Sequence, residues 1–230
     1  DVLNALGMYP GPAGPLGGEC AGRVVRVGPG VSGLAPGDEV MAFARGSLAS
    51  HVCAPACYVA PRPARLTWAE AAATPIAFLT AMYAFERLAG LQRGERVLIH
   101  SAAGGVGMAA VQLALALGAE VFATAGSAAK REALAALGVA NVFDSRSLVF
   151  AEQVMAATGG RGVQVVLNAL AGDFIAASLS ALAPCGRFLE MGKRDIWTHE
   201  RMRAARPDVA YHPFDLGDAA AADAADARRR

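Results

Sequence analysis

The stretch Arg96-Val97-Leu98-Ile99-His100-Ser101-Ala102-Ala103-Gly104-Gly105-Val106-Gly107 decides how this chain reads. Val97 to His100 is a short apolar run with the character of a buried strand. It gives way to small residues and glycines, and from Val106 to Leu117 the apolar residues recur at helical spacing. A second strand-like run, Glu120-Val121-Phe122-Ala123-Thr124, follows at once. Strand, glycine loop, helix, strand is a βαβ unit, and Ala102-x-Gly104-x-x-Gly107 within it is a dinucleotide fingerprint with Ala in the first position. Gly104 lets the backbone approach a pyrophosphate, Gly107 lets helix and strand pack closely, and Gly105 and Val106 open the helix whose free N–H groups face the phosphates.

Working outward, the rest of the chain after residue 72 repeats this alternation. Helical stretches cover Trp68 to Ala89, Lys130 to Leu137, Phe150 to Thr158 and Phe174 to Leu182. Between them lie short apolar runs at Val142-Phe143, Val163 to Leu167, Arg187 to Met191 and Val209 to His212. Short apolar strands separated by helices belong to a parallel sheet covered on both faces. The expected fold is α/β, a doubly wound parallel-sheet Rossmann domain over residues 73–217. Residues 1–72 have another texture, rich in Gly and Pro. Their short β-like runs, Cys20 to Val27, Glu39 to Phe43 and Ser50 to Ala54, predict a small, partial β-barrel. Residues 218–230 are low-complexity Ala, Asp and Arg and read as a tail.

Composition narrows the function classes. Hydrophobic residues make up 54% of the 230 residues and the net charge is +1, which supplies a core and excludes an electrostatic nucleic-acid or membrane-surface binder. No apolar run is long enough for a membrane span. The four cysteines are too few for a disulfide framework, so a reducing cytoplasm is expected. The chain starts in mid-pattern at Asp1, which leads to the expectation of a segment cut from a longer polypeptide.

The second strand indicates which dinucleotide. Sites that hold an unphosphorylated ribose place Asp or Glu at its end. Here it ends Thr124-Ala125-Gly126-Ser127 with no carboxylate, and Lys130 and Arg146 follow. Small polar residues and two cations suit a 2′-phosphate, so NADPH is the expected cofactor.

A further set of segments completes the pattern: Leu6-Gly7-Met8-Tyr9-Pro10, Gly17 to Gly22, Pro36 to Met41, Phe78-Leu79-Thr80-Ala81, His100 to Gln112, Thr158 to Gly162, Val166-Leu167-Asn168, Phe188 to Lys193 and Phe214-Asp215-Leu216. Together these resemble the zinc-independent medium-chain reductases, and most closely the enoyl reductase domains of modular polyketide synthases. The resemblance implies a GroES-like substrate domain beside the Rossmann domain. It implies NADPH-dependent reduction of a trans-2-enoyl thioester carried on an acyl carrier protein, among neighbouring synthase domains. It also implies that Lys193, Asp215 and Tyr9 do the catalytic work, and that Thr80, Asn168, Met191 and Gly192 join the loop in holding the cofactor. Zinc-dependent relatives carry a His where Gly18 stands, and His51, Cys53 and Cys57 do not complete a metal set, so no metal is expected. Two rivals stay open: a free-standing quinone or enone reductase, and a non-catalytic NADPH-binding fragment.

Overall fold

The computed structural model describes residues 1–8 and 14–219. The chain divides into two compact units, 1–77 and 78–230, so the division falls beyond the change of texture near residue 72.

The first unit opens on the short helix α1 (Val2–Ala5) and contains a three-stranded antiparallel sheet, β1 (Glu19–Arg23), β2 (Glu39–Phe43) and β3 (Val59–Pro61), in that order. Gly17 precedes β1 at φ +89°, and a Cβ there would lie 2.2 Å from the Leu48 nitrogen, so only glycine fits. The strand expected at Ser50 to Ala54 is absent; His51, Val52 and Cys53 are exposed and unpaired with any strand. Ser50 to Cys53 are all exposed, so the alternation there has no buried face to fill. The helix expected over Trp68 to Ala89 is interrupted. Thr67 caps α2 (Trp68–Ala72) in a reciprocal box with Glu70. Pro75, which disfavours helix in the residue before it, then starts α3 (Pro75–Met82). A π-helical turn, Tyr83–Ala89, continues it.

The second unit is a six-stranded parallel sheet. Its elements are β4 (Arg96–Ile99), α4 (Gly105–Leu117), β5 (Glu120–Ala125), α5 (Ala128–Ala136), β6 (Asn141–Asp144), α6 (Phe150–Ala157), β7 (Val163–Asn168), α7 (Asp173–Ser180), β8 (Leu182–Glu190), α8 (His199–Ala205) and β9 (Ala210–Pro213). The order β6-β5-β4-β7-β8-β9 is that of a doubly wound dinucleotide-binding sheet. Helix α8 was not expected from the sequence; Thr198 caps it by accepting the Arg201 N–H at 3.2 Å. The core is built from Leu98, Phe122, Val163, Val166 and Phe188 of the strands with Phe150, Val154, Ile175 and Leu179 of the helices. Each large side chain so buried contributes about 1.5–3 kcal/mol.

His100 directly follows β4 and is fully buried. Its Nε2 lies 2.8 Å from Ser178 Oγ, and that hydroxyl donates to the Phe174 carbonyl at 2.7 Å. Nε2 is therefore the donor, and Nδ1 accepts from Thr124 Oγ1 at 2.9 Å. Burial depresses the imidazole from 6.5 to about 3. The unfolded chain takes up a proton that the folded chain refuses, so this contribution to stability is whole above pH 6.5 and lost as pH falls toward 3. Urea titrations of the chain are expected to lose about 1.4 kcal/mol per pH unit below that point from this group alone. His100→Gln is expected to flatten the slope; an unchanged slope contradicts the assignment.

Candidate active site

Strand β4 enters the glycine loop through Ser101, which adopts a left-handed conformation at φ 50°. Ala102 N donates to Thr124 O at 3.0 Å and Gly104 N to Ser101 O at 2.8 Å, so the turn is tied both to β5 and to itself. Gly104 caps α4 with extended backbone, and the first-turn N–H groups of Gly105, Val106 and Gly107 have no carbonyl earlier in the helix to bond. A Cβ on Gly107 would stand 2.3 Å from Ser101 O and 2.6 Å from Ala102 Cα, whereas one on Gly105 meets nothing within 4 Å. Gly107 is thus required where helix meets strand, and Gly105 borders open space beside the helix N-terminus. This is the cradle a dinucleotide pyrophosphate fits.

At the end of β5, Ser127 caps α5 by accepting the Lys130 N–H at 3.4 Å. Arg146 lies over Gly126, its Nε 3.2 Å from where a Cβ would be. Sequence reasoning noted the missing carboxylate on β5 but overlooked Asp144 at the end of the neighbouring β6, paired with Ala125. That carboxylate is engaged. Arg131 approaches it at 3.5 Å and also donates to Ala125 O, and the Arg146 N–H donates to it at 2.9 Å. Lys130 and the Arg146 side chain are exposed, and neither forms an ion pair among the described residues.

The carboxyl ends of β8 and β9 bring Lys193 and Asp215 together. Lys193 Nζ is 2.6 Å from Asp215 Oδ2 and 3.4 Å from the Phe214 carbonyl, with the two side chains 40% and 33% exposed. Burial alone would raise the Asp215 carboxyl. The bonds from Lys193 and from the Gly217 N–H outweigh it and hold the group below its usual range, so it is ionised at neutral pH. The pair opens onto a cavity of about 400 Å³ lined by Tyr83, Gly192, Ile196, Pro213 and Phe214. Tyr83 stands on the π-helical turn with its ring 5.9 Å from that of Phe214, a placement no sequence pattern signalled.

Asn168, at the end of β7, is fully buried. Its Nδ2 donates to Leu170 O at 2.8 Å and to Glu190 Oε2 at 2.7 Å, while its Oδ1 accepts the Leu170 N–H. Both amide donors are thus engaged within the fold. Met191 N donates to Asn168 O, and Gly192 N to Glu190 Oε1 at 2.6 Å. Glu190 was missed as a site residue; as a charge inside a strand end it had no spacing to mark it. Thr80 is buried on α3. Tyr9 and residues 220–230 lie outside the described residues.

Among the described residues no group of three His, Cys, Asp or Glu side chains could hold a metal ion. All four cysteines are free, and Cys53 and Cys57 are exposed.

The first unit with its small antiparallel sheet and the second with its cofactor cradle define a medium-chain dehydrogenase or reductase. Residues 1–82 match the alcohol dehydrogenase GroES-like domain family, and residues 105–208 the zinc-binding dehydrogenase family. The chain is 47% identical to the CurK enoyl reductase, with a TM-score of 0.90 over 95% of this chain and 69% of that one. It is 33% identical to mycobacterial Rv1454c, solved as a complex with NADPH, with a TM-score of 0.80 over 90% of this chain and 67% of that one. It is also 54% identical, over 95% of its length, to the pikromycin polyketide synthase component PikAII of Streptomyces venezuelae, and spans 6% of that protein. The chain belongs to the family of polyketide synthase enoyl reductases.

Gly107→Ala is expected to push α4 off β4 and cost about 1–3 kcal/mol of stability, read as a lower thermal midpoint. Gly105→Ala, entering open space, is expected to stay within about 0.5 kcal/mol of the parent. Equal midpoints for the two variants would contradict the close-packing role of Gly107.

Proposed function

We propose that the chain reduces trans-2-enoyl thioesters, presented on an acyl carrier protein, to saturated acyl thioesters, using NADPH. The observation that carries the proposal is the Lys193–Asp215 pair at 2.6 Å, set at the carboxyl edge of a dinucleotide-binding sheet and opening onto a cavity. When bound, NADPH supplies the hydride that reduces the β-carbon. The loop Ala102 to Gly107 holds the pyrophosphate, and Ser127, Lys130 and Arg146 receive the 2′-phosphate; Thr80, Met191 and Gly192 border the rest of the cofactor. The engagement of Asp144 by Arg131 supports this, because a free carboxylate there would repel a phosphate.

Lys193 does the polar work. An ammonium has three N–H donors. One is held by Asp215 and one is directed to the Phe214 carbonyl, which leaves the third for the substrate. From there the ammonium charge stabilises the enolate, and that proton then passes to the α-carbon, the amine regaining a proton from water. Asp215 fixes the ammonium in place, and its own low proton affinity keeps the pair charged. Tyr83, Phe214 and Ile196 supply apolar wall for an acyl chain. The carrier protein and neighbouring synthase domains are the proposed partners, and the cytoplasm the proposed compartment; no helix among the described residues is long and apolar enough to cross a membrane.

Lys193→Ala is expected to lower turnover of a trans-2-enoyl pantetheine thioester at least about ten-fold while NADPH fluorescence titration shows binding retained. Full turnover in that variant would sink the assignment. The parent is expected to prefer the thioester over a free quinone; the reverse order favours the quinone-reductase reading. Arg146→Ala is expected to weaken NADPH by about 1–2 kcal/mol and leave NADH unchanged, checked by the same titration with both cofactors.

A further inference from the structure

The loop that carries Lys193 is held by a buried carboxylate. Glu190 is the last residue of β8 and is fully buried, yet it lies three positions before the exposed end of the site. Its Oε2 accepts from Asn168 Nδ2 at 2.7 Å and its Oε1 accepts the Gly192 N–H at 2.6 Å. Its backbone carbonyl accepts the Phe214 N–H at 3.0 Å. One residue thus ties together the ends of β7, β8 and β9, and both partners of the Lys193–Asp215 pair follow directly from the strands it ties. Gly192 completes the device. A Cβ at that position would stand 2.6 Å from Glu190 Oε1, so the glycine is the space into which the carboxylate folds back.

Resting on the enoyl reductase reading, we propose that Glu190 is a positioning residue: by holding the Gly192 N–H against Asn168 it fixes the backbone from which Lys193 reaches Asp215 and the substrate. The donor count explains the choice of residue. Asn168 presents an N–H, because its oxygen is fixed by the Leu170 N–H, and Gly192 presents another. The two donors reach different oxygens of the side chain, Oε2 and Oε1, and only a carboxylate presents an acceptor at both positions. A glutamine would meet one N–H with its own N–H group, and that mismatch is buried. Burial pushes the Glu190 carboxyl up, against the pull of Asn168, Gly192 and the Lys193 charge. Such a group is costly in a sheet edge, as expected where position matters more than stability.

The test is a double-mutant cycle on the chain, with Glu190→Gln, Lys193→Ala and the two combined, assayed on a trans-2-enoyl pantetheine thioester. Glu190→Gln is expected to lower kcat roughly 10- to 100-fold, the scale of a small misplacement in a site, with NADPH affinity within about two-fold. Added to Lys193→Ala, it is expected to have no further effect on kcat beyond about two-fold, because it acts through the lysine. Multiplying effects, or full kcat in Glu190→Gln beside an impaired Lys193→Ala, overturn the positioning role while leaving the enoyl reductase reading intact. Full activity of Lys193→Ala overturns that reading and this proposal with it. Should Glu190→Gln not fold, Gly192→Ala decides the question, since it displaces the carboxylate without removing it. It is expected to lower kcat with the same lack of additivity, and parental kcat in that variant overturns the proposal.

Discussion

Parallel pairing of β7, β8 and β9 is the constraint on which the site depends. Their register sets Asn168 opposite Glu190 and Glu190 opposite Pro213, so all three strands end at one level. Chain leaving that level reaches Leu170, Lys193 and Asp215, which share no proximity in sequence. Each polar group there is answered by another: amide by carboxylate, carboxylate by backbone N–H, ammonium by carboxylate. A buried edge tolerates such groups only as a closed set. The second half of the sheet, β4 with β5 and β6, ends at the same edge and supplies the glycine loop. The glycine loop and the Lys193–Asp215 pair are therefore consequences of one sheet, with the crossover between β4 and β7 separating them.

Sequence alone carried much of this. The loop from Arg96 to Gly107 has a period change, a glycine spacing and a following strand that few other folds would satisfy together, and the strand and helix order followed from it. What it did not carry has physical reasons. Ser50 to Ala54 has the alternation of a strand, but Ser50 to Cys53 are exposed, so the alternation covers no core. Trp68 to Ala89 has helical periodicity throughout, yet Pro75 restarts the backbone and the last part winds as a π-helical turn. Helix α8 is short, and its Thr198 cap is a weaker signal than the apolar stripes of its neighbours.

The site was legible where residues carry a motif and hidden where register brings them together. Lys193 and Asp215 follow strands at the edge where open α/β sheets place their chemistry. Asp144, Arg131, Glu190 and Tyr83 do not, because their significance lies in what faces them across the sheet. Asp144 is instructive. Read along the chain it is a distant acid; read across β5 and β6 it is paired with Ala125 at the end of β5, and Arg131 approaches it.

The most direct test of the central claim follows the hydrogen atoms. The chain is incubated with NADPH deuterated at the transferring position of the nicotinamide and a trans-2-enoyl thioester, in ordinary water, and the product is examined by mass spectrometry and NMR. The account predicts a saturated thioester with one deuterium on the β-carbon and a solvent-derived hydrogen on the α-carbon. Consumption of NADPH without deuterium on the β-carbon, or an alkene left intact while the cofactor is bound, would contradict it.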